Sequence, residues 1–176
     1  RAHNIIDTFG DQFPSDASEF HDAYNLAISK GLRLQSLGYK DITEALVKAD
    51  RILEEYYSIN VHAIPFGDTR MPKYFWEIGK DSPHVIFCKG DASCLKSNKN
   101  VAIVGTRDPS DWASKEAARI SKYFSSNNFT IVSGLALGCD TIAHTSCLES
   151  SGKTIAVLAH GLDTIHPKKN TALSEK

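Results

Sequence analysis

The sequence lacks several features that define large classes of protein. No apolar run approaches the roughly 20 residues that a membrane-spanning helix requires, so we expect no membrane partner. Its four cysteines form neither a CxxC pair nor a Cys/His spacing typical of zinc, which predicts no metal site. The amino terminus has no basic-then-apolar signal segment, and the one methionine is Met71. We therefore expect a cytoplasmic protein of which this chain is a fragment.

The standard motifs of nucleotide and hydrolase chemistry are missing too. The sequence has no GxGxxG fingerprint, no GxxxxGK[ST] loop and no GxSxG elbow. A catalytic triad could be assembled on paper from Ser133, His144 or His160, and Asp140, but their spacing does not support it. We expect no catalytic residue and no cofactor.

The composition is that of an ordinary globular protein with an uneven charge. Of 176 residues, 41% are hydrophobic and 23% are charged, and the formal net charge is −1. Residues 1–88 carry 9 basic and 13 acidic side chains, whereas residues 89–176 carry 11 and 8. The weakly basic second half permits an anionic partner, although a solvated surface explains it equally well.

The first third of the chain is predicted to be helical. Residues 1–15 are polar and irregular, and residues 17–37 have helical spacing. A second helix should begin at Asp41, as its cap, and bury one apolar stripe before ending near Ser58. We interpret 1–58 as an amino-terminal helical region. We interpret 59–176 as a connecting segment followed by an incomplete core.

From residue 101 onward, short apolar runs alternate with amphipathic helices. The runs cover 101–104, 130–132 and 154–158, and the helices between them cover 111–126 and about 140–149. This alternation predicts a Rossmann-like, doubly wound α/β fold, a mainly parallel sheet in three α/β/α layers. Cys139 and Cys147 should be buried in it.

Ligands of such folds bind beyond the carboxyl ends of the strands, and three turns lie there. Gly105 permits close approach of a ligand, Thr106 offers a hydroxyl, and Arg107 suits a phosphate. The turn from Ser133 to Gly138 can present backbone N–H groups, with Asp140 as the expected helix cap. Lys168 and Lys169 follow the third run. Each turn, taken alone, also fits a plain loop with surface charges.

An ordered series of motifs resembles the DprA/Smf family of DNA-processing proteins. The series contains VAIVGTR at 101–107, IVSGLALGCD at 131–140, KTIAVL at 153–158 and PKKN at 167–170. Upstream, Gly67-Asp68, Met71-Pro72 and Ser82-Pro83 resemble the family as well. The resemblance is specific over about residues 60–172.

The resemblance implies a function in addition to a fold. DprA-like proteins bind single-stranded DNA, load a RecA-type recombinase during natural transformation, typically form homodimers and are not known as enzymes. Their phosphate pocket, carried over by position, implies the following site: Gly105, Thr106, Arg107, Ser133, Gly134, Ala136 and Gly138, with Lys168, Lys169 and Asn170 beside it. Leu137 stands where many members have arginine, and His166 where tyrosine is common.

A nucleotide-binding sensor, or an enzyme similar to the lysine-decarboxylase-like phosphoribohydrolases, is the alternative. Its pocket would hold a nucleoside monophosphate. The PGGxGT motif of that group is absent from the sequence, which argues against it. Tight binding of mononucleotides without binding of oligonucleotides would favour this alternative.

Overall fold

The computed structural model describes residues 16–33 and 35–176, so the expectation for residues 1–15 lies outside the described residues. The chain divides into two compact units. One contains the described residues up to Asp68 together with Lys73–Ile86, and the other contains Thr69–Pro72 and Phe87–Lys176. The predicted boundary between residues 58 and 59 stays a prediction.

The first unit is mainly helical. Its elements are helices α1 (Ala17–Ser29), α2 (Tyr39–Ser58) and α3 (Lys73–Glu77), a 3-10 helix (Gly79–Asp81) and strand β1 (Val61–Pro65). Strand β1 pairs with β2 (Val85–Lys89), of which Val85 and Ile86 belong to this unit. The Asp16 carboxylate begins α1 by accepting hydrogen bonds from the Ser18 and Glu19 amides, at 2.8 and 2.9 Å. Buried side chains of α1 and α2 form the core between them: Tyr24, Ala27 and Ile42.

Three details of the first unit differ from the sequence predictions. Helix α1 stops at Ser29 rather than continuing to residue 37, because Gly31 adopts a left-handed conformation with φ of 94°. Asp41 is not the cap of α2. It lies inside the first turn and accepts a hydrogen bond from the Gly38 amide at 2.9 Å. The predicted apolar stripe of α2 is buried at Ile42, but its members from Ala45 onward are exposed or half-buried, so the stripe is only partly covered.

The second unit contains a parallel three-stranded sheet. Its elements are β3 (Asn100–Ala102), α4 (Asp111–Ser126), β4 (Thr130–Ser133), α5 (Cys139–Glu149), β5 (Thr154–Ala156), a 3-10 helix (Lys168–Asn170) and α6 (Thr171–Ser174). The strands lie in the order β3-β4-β5, and both neighbouring pairs are parallel. This arrangement confirms the predicted α/β class with a parallel sheet.

The core of the second unit lies between the sheet and its two connecting helices. Ile131 of β4 packs with Ala143 and Cys147 of α5, and Phe124 of α4 packs against the same cluster. The Ser121 hydroxyl of α4 donates to the Ala143 carbonyl at 2.6 Å, so the two helices touch each other as well as the sheet. Both helices therefore cover one face, as right-handed crossovers between consecutive neighbouring strands require.

Substitution of Ile131 tests where this core lies. Ile131 is fully buried, so Ile131→Ala should lower the free energy of unfolding by about 2–5 kcal/mol. The control is Val104→Ala, because Val104 lies two residues after the end of β3 but is 76% exposed and should change stability by less than about 0.5 kcal/mol. Urea unfolding followed by circular dichroism measures both. Equal losses would contradict this placement of the core.

Candidate functional site

Three loops meet at the carboxyl edge of the sheet. The Cys139 amide donates to the Thr106 carbonyl at 3.1 Å, which joins the loop after β4 to the loop after β3. The Asn170 side-chain amide donates to the Leu135 carbonyl at 2.8 Å and contacts the Thr141 hydroxyl at 2.8 Å. The segment after β5 is thereby fixed against the loop after β4. The predicted site residues thus lie on three loops that are bonded to one another.

The glycines of this edge are required by the contact between the first two loops. A Cβ atom on Gly105 would lie 2.6 Å from the Cys139 Sγ. A Cβ atom on Gly138 would overlap the Thr106 carbonyl oxygen, and Gly138 has a φ of 79° that other residues rarely adopt. Gly105 was predicted to permit close approach of a ligand. In the structure it admits the neighbouring loop.

Asp140 organises the second loop, and its predicted role as a helix cap is wrong. It was expected to cap α5, but the cap is Gly138, and Asp140 lies within the first turn. The nearly buried Asp140 carboxylate accepts hydrogen bonds from the Gly134 amide at 3.1 Å and the Ala136 amide at 3.3 Å. These two predicted anion-binding N–H groups therefore point at a carboxylate of the protein itself.

Two further predicted residues, Ser133 and Asn170, use their side-chain donors inside the protein. The buried Ser133 hydroxyl donates to the Ile103 carbonyl at 2.6 Å and so links β4 to the end of β3. The buried Asn170 amide fixes the loop after β4 in the way described above. Both side chains position the loops. Sequence spacing could not distinguish this use from contact with a ligand.

The groups available to an anion at this edge are cationic side chains. Arg107, Lys168 and Lys169 are exposed, and none of them forms an ion pair with any residue in the described ranges 16–33 and 35–176. Because Asn170 is anchored to the second loop, it keeps the two lysines at this edge. Thr106 is exposed, and its hydroxyl accepts a hydrogen bond from the Asp108 amide at 3.2 Å. The edge therefore combines three exposed cations with a fixed backbone.

Leu137 and His166, the two departures from the family pattern, are exposed near these loops, as is the Trp112 ring. Trp112 is in the first turn of α4, Leu137 precedes Gly138, and His166 precedes the 3-10 helix. His160 bridges the last loop: its Nδ1 lies 2.8 Å from the Gly161 carbonyl, and its Nε2 accepts the His166 amide at 3.4 Å. Within residues 16–33 and 35–176, no group of three or more His, Cys, Asp or Glu side chains is arranged to hold a metal.

His144 lies behind the site as a neutral, buried imidazole. The Thr154 hydroxyl donates its one proton to the Ile131 carbonyl at 2.9 Å. In its 2.6 Å hydrogen bond with His144, the hydroxyl is therefore the acceptor and Nδ1–H is the donor. Nε2 is then unprotonated, and it finds no hydrogen-bond partner among the described residues. Burial lowers the pKa of His144, and the nearby Asp140 only partly opposes that shift.

Gly138→Ala tests the contact between the loops. We expect a larger loss of stability than the roughly 1 kcal/mol that a left-handed backbone alone imposes on alanine, because the new methyl also overlaps the Thr106 carbonyl. Gly90→Ala is the matched control, since Gly90 has a φ of 98° and open space around it. Both variants are compared by urea unfolding, and equal losses would mean that the loops tolerate separation.

The buried His144 predicts a pH dependence. Its pKa is lowered in the folded state, so the unfolded chain binds a proton first as the pH falls below the ordinary value of 6.5. Stability should therefore fall by up to about 1.4 kcal/mol per pH unit below that value, until His144 protonates in the folded state too. The His144→Gln variant cannot take up that proton and should lack this component. If wild type and variant lose stability in parallel, His144 is not the titrating group.

Comparisons with known proteins agree with the motifs at these loops. The family described as "DNA recombination-mediator protein A" matches residues 62–176. The Smf protein of Synechocystis is 37% identical over 151 residues, which are 81% of this chain and 38% of that protein. The DNA processing protein DprA of Bacillus subtilis is 32% identical over 135 residues, which are 77% of this chain and 45% of that protein. The chain therefore spans less than half the length of these curated relatives.

Solved structures support the same assignment. The crystal structure of DprA from Streptococcus pneumoniae aligns with a TM-score of 0.67 at 29% identity, covering 99% of this chain and 57% of that one. The DprA structure from Helicobacter pylori aligns with a TM-score of 0.57 at 33% identity, covering 65% of this chain and 50% of that one. That structure was determined to explain how the Helicobacter pylori protein binds single-stranded DNA. These matches confirm the resemblance inferred from the motifs: the chain belongs to the DNA recombination-mediator protein A family, whose members are named DprA or Smf.

Proposed function

We propose that this chain binds single-stranded DNA through the phosphate backbone at the carboxyl edge of its sheet. The observation that carries the proposal is the placement of Arg107, Lys168 and Lys169, exposed and without ion pairs in the described residues, on loops bonded to one another. Cations carried on loops that are bonded to one another bind phosphate with little loss of loop entropy. The single-stranded DNA binding mode described for the Helicobacter pylori relative supports this choice of ligand.

Recognition of this kind reads phosphate and not base sequence. The Arg107 guanidinium suits bidentate contact with a phosphate, and the two lysines add point charges. The exposed Trp112 ring, in the first turn of α4, is available for base stacking, which also tolerates any sequence. We therefore expect weak sequence preference and strong dependence on salt.

For the whole protein we propose the mediator role that the resemblance implies. Such a protein would place a RecA-type recombinase on single-stranded DNA during transformation or recombination, as a cytoplasmic homodimer and without catalysis of its own. The relatives' names, DNA processing protein and recombination-mediator protein, support this role. In the described ranges no helix is long and apolar enough to cross a membrane.

Arg107→Ala tests the proposed interface. Loss of one phosphate contact with a single strand should make the slope of log affinity against log salt less steep by about 0.7. The affinity of Arg107→Ala for the oligonucleotide should therefore be about 5- to 10-fold lower than that of wild type at ~50 mM salt. Lys115→Ala is the control, because Lys115 is an exposed cation on α4 and outside the three loops. Fluorescence anisotropy with a labelled thymidine oligonucleotide measures both. An unchanged affinity of Arg107→Ala at low salt would remove Arg107 from the interface.

A titration with mononucleotides separates this proposal from the nucleotide-binding alternative. A backbone-reading interface should bind a nucleoside monophosphate much more weakly than an oligonucleotide, because a single phosphate makes few of the contacts. Calorimetry measures both ligands on the same chain. Tight binding of a mononucleotide together with no binding of the oligonucleotide would favour the sensor or phosphoribohydrolase-like alternative instead.

A further inference from the structure

A second group of cations lies at the opposite, amino edge of the same sheet. Three exposed lysines form this amino-edge cluster: Lys96, Lys99 and Lys153. The Lys99 carbonyl accepts the Thr130 amide at 2.8 Å, and the Lys153 carbonyl accepts the Ile131 amide at 2.9 Å. Lys99 and Lys153 therefore stand on either side of β4, immediately before β3 and β5. Lys96 ends the 3-10 helix Ala92–Lys96, shortly before β3.

The charge balance of this cluster favours an anionic ligand. The three lysines outnumber the nearby Asp91 carboxylate, which keeps its negative charge and accepts hydrogen bonds from the Ser93 amide at 2.8 Å and the Ser93 hydroxyl at 2.7 Å. These hydrogen bonds, with a smaller contribution from Lys153, lower the pKa of Asp91. Glu149, at the end of α5, is paired with Lys122 at 3.0 Å. Among the described residues, no ion pair involves any of the three cluster lysines.

Local contacts hold Lys99 in place. Its ammonium lies 5.7 Å from the centre of the Phe129 ring, which attracts the cation through its π-face. Phe129 is itself fixed edge-on against Phe124, with the ring centres 5.2 Å apart. The Lys99 amide donates to the Ser97 hydroxyl at 3.2 Å, which orders the backbone before the strand. A cation ordered in this way loses less entropy when it binds a phosphate.

We propose that the amino-edge cluster is a second contact surface for the phosphate backbone of single-stranded nucleic acid. Neighbouring strands lie about 4.8 Å apart, so Lys99 and Lys153, separated by β4, stand about 10 Å apart at the backbone. That distance spans about three stacked nucleotides at ~3.4 Å each. One strand bound at both edges would be held more tightly than at either edge alone. This inference rests on the proposed binding of single-stranded DNA.

The test measures the affinity of the wild-type chain and three variants for a labelled thymidine oligonucleotide of about 25 nucleotides. Fluorescence anisotropy is recorded between ~50 and ~300 mM salt. The cluster variant, Lys99→Ala/Lys153→Ala, removes two of the three lysines of the amino-edge cluster. The Arg107→Ala variant removes the proposed carboxyl-edge contact. Lys48→Ala/Lys115→Ala is the matched control, since both lysines are exposed and the same charge is lost. Circular dichroism checks that each variant is folded.

The cluster variant should lose about 25- to 100-fold in affinity at ~50 mM salt and about 1.4 of the salt slope, and the control should lose less than about 2-fold. If Arg107→Ala weakens binding and the cluster variant matches the control, the inference fails and the proposed function stands. If the cluster variant weakens binding and Arg107→Ala does not, the amino edge stands and the carboxyl-edge site fails. Absence of oligonucleotide binding by the wild-type chain at low salt would overturn both.

Discussion

The close approach of Gly138 to the Thr106–Arg107 backbone is the contact on which the candidate site depends. No side chain fits between the two loops there, because even a Cβ atom would overlap the Thr106 carbonyl. The approach allows the Cys139 amide to reach that carbonyl, so α5 begins directly against the loop after β3. Arg107 therefore has its place at the edge because of a residue 31 positions away. An arginine on an independent loop would lose more entropy on meeting a phosphate.

The buried polar groups around this contact bond mainly to the protein itself, and that determines how the site can bind. Asp140, Ser133 and Asn170 satisfy backbone groups of the loops. Buried donors without partners would destabilise the fold by about 1–3 kcal/mol each, so these bonds are needed whether or not a ligand is present. The Gly134 and Ala136 amides, which donate to Asp140, resemble a phosphate cradle in sequence but serve as structural supports. In the proposed site the exposed cations bind the ligand. Their attraction for a phosphate acts through solvent and therefore depends on salt.

Much of the second unit could be predicted because its signals are local. The apolar runs before Gly105 and Gly134, and the amphipathic helix from Asp111 to Ser126, determine strand and helix types from residues close in sequence. The role of Asp140 could not be predicted. An acidic residue near a helix start fits a cap equally well, and only the tertiary path of the loop decides which amides it reaches. The exposure of the apolar stripe of α2 beyond Ile42 could not be predicted either. Amphipathic spacing specifies the apolar face of a helix but not whether another element covers that face.

The distribution of charge in the second unit is the remaining constraint on function. The carboxyl edge carries Arg107, Lys168 and Lys169 but also Asp108 and Asp163 on the same loops, so its net charge is small. At the amino edge Glu149 is paired with Lys122, and Asp91 keeps its negative charge beside Lys96, Lys99 and Lys153, which leaves an excess of positive charge. A polyanion responds to summed charge over a distance comparable to the Debye length of about 10 Å. In the proposed binding mode both edges contribute, with the fixed loops supplying geometry and the lysines supplying most of the field.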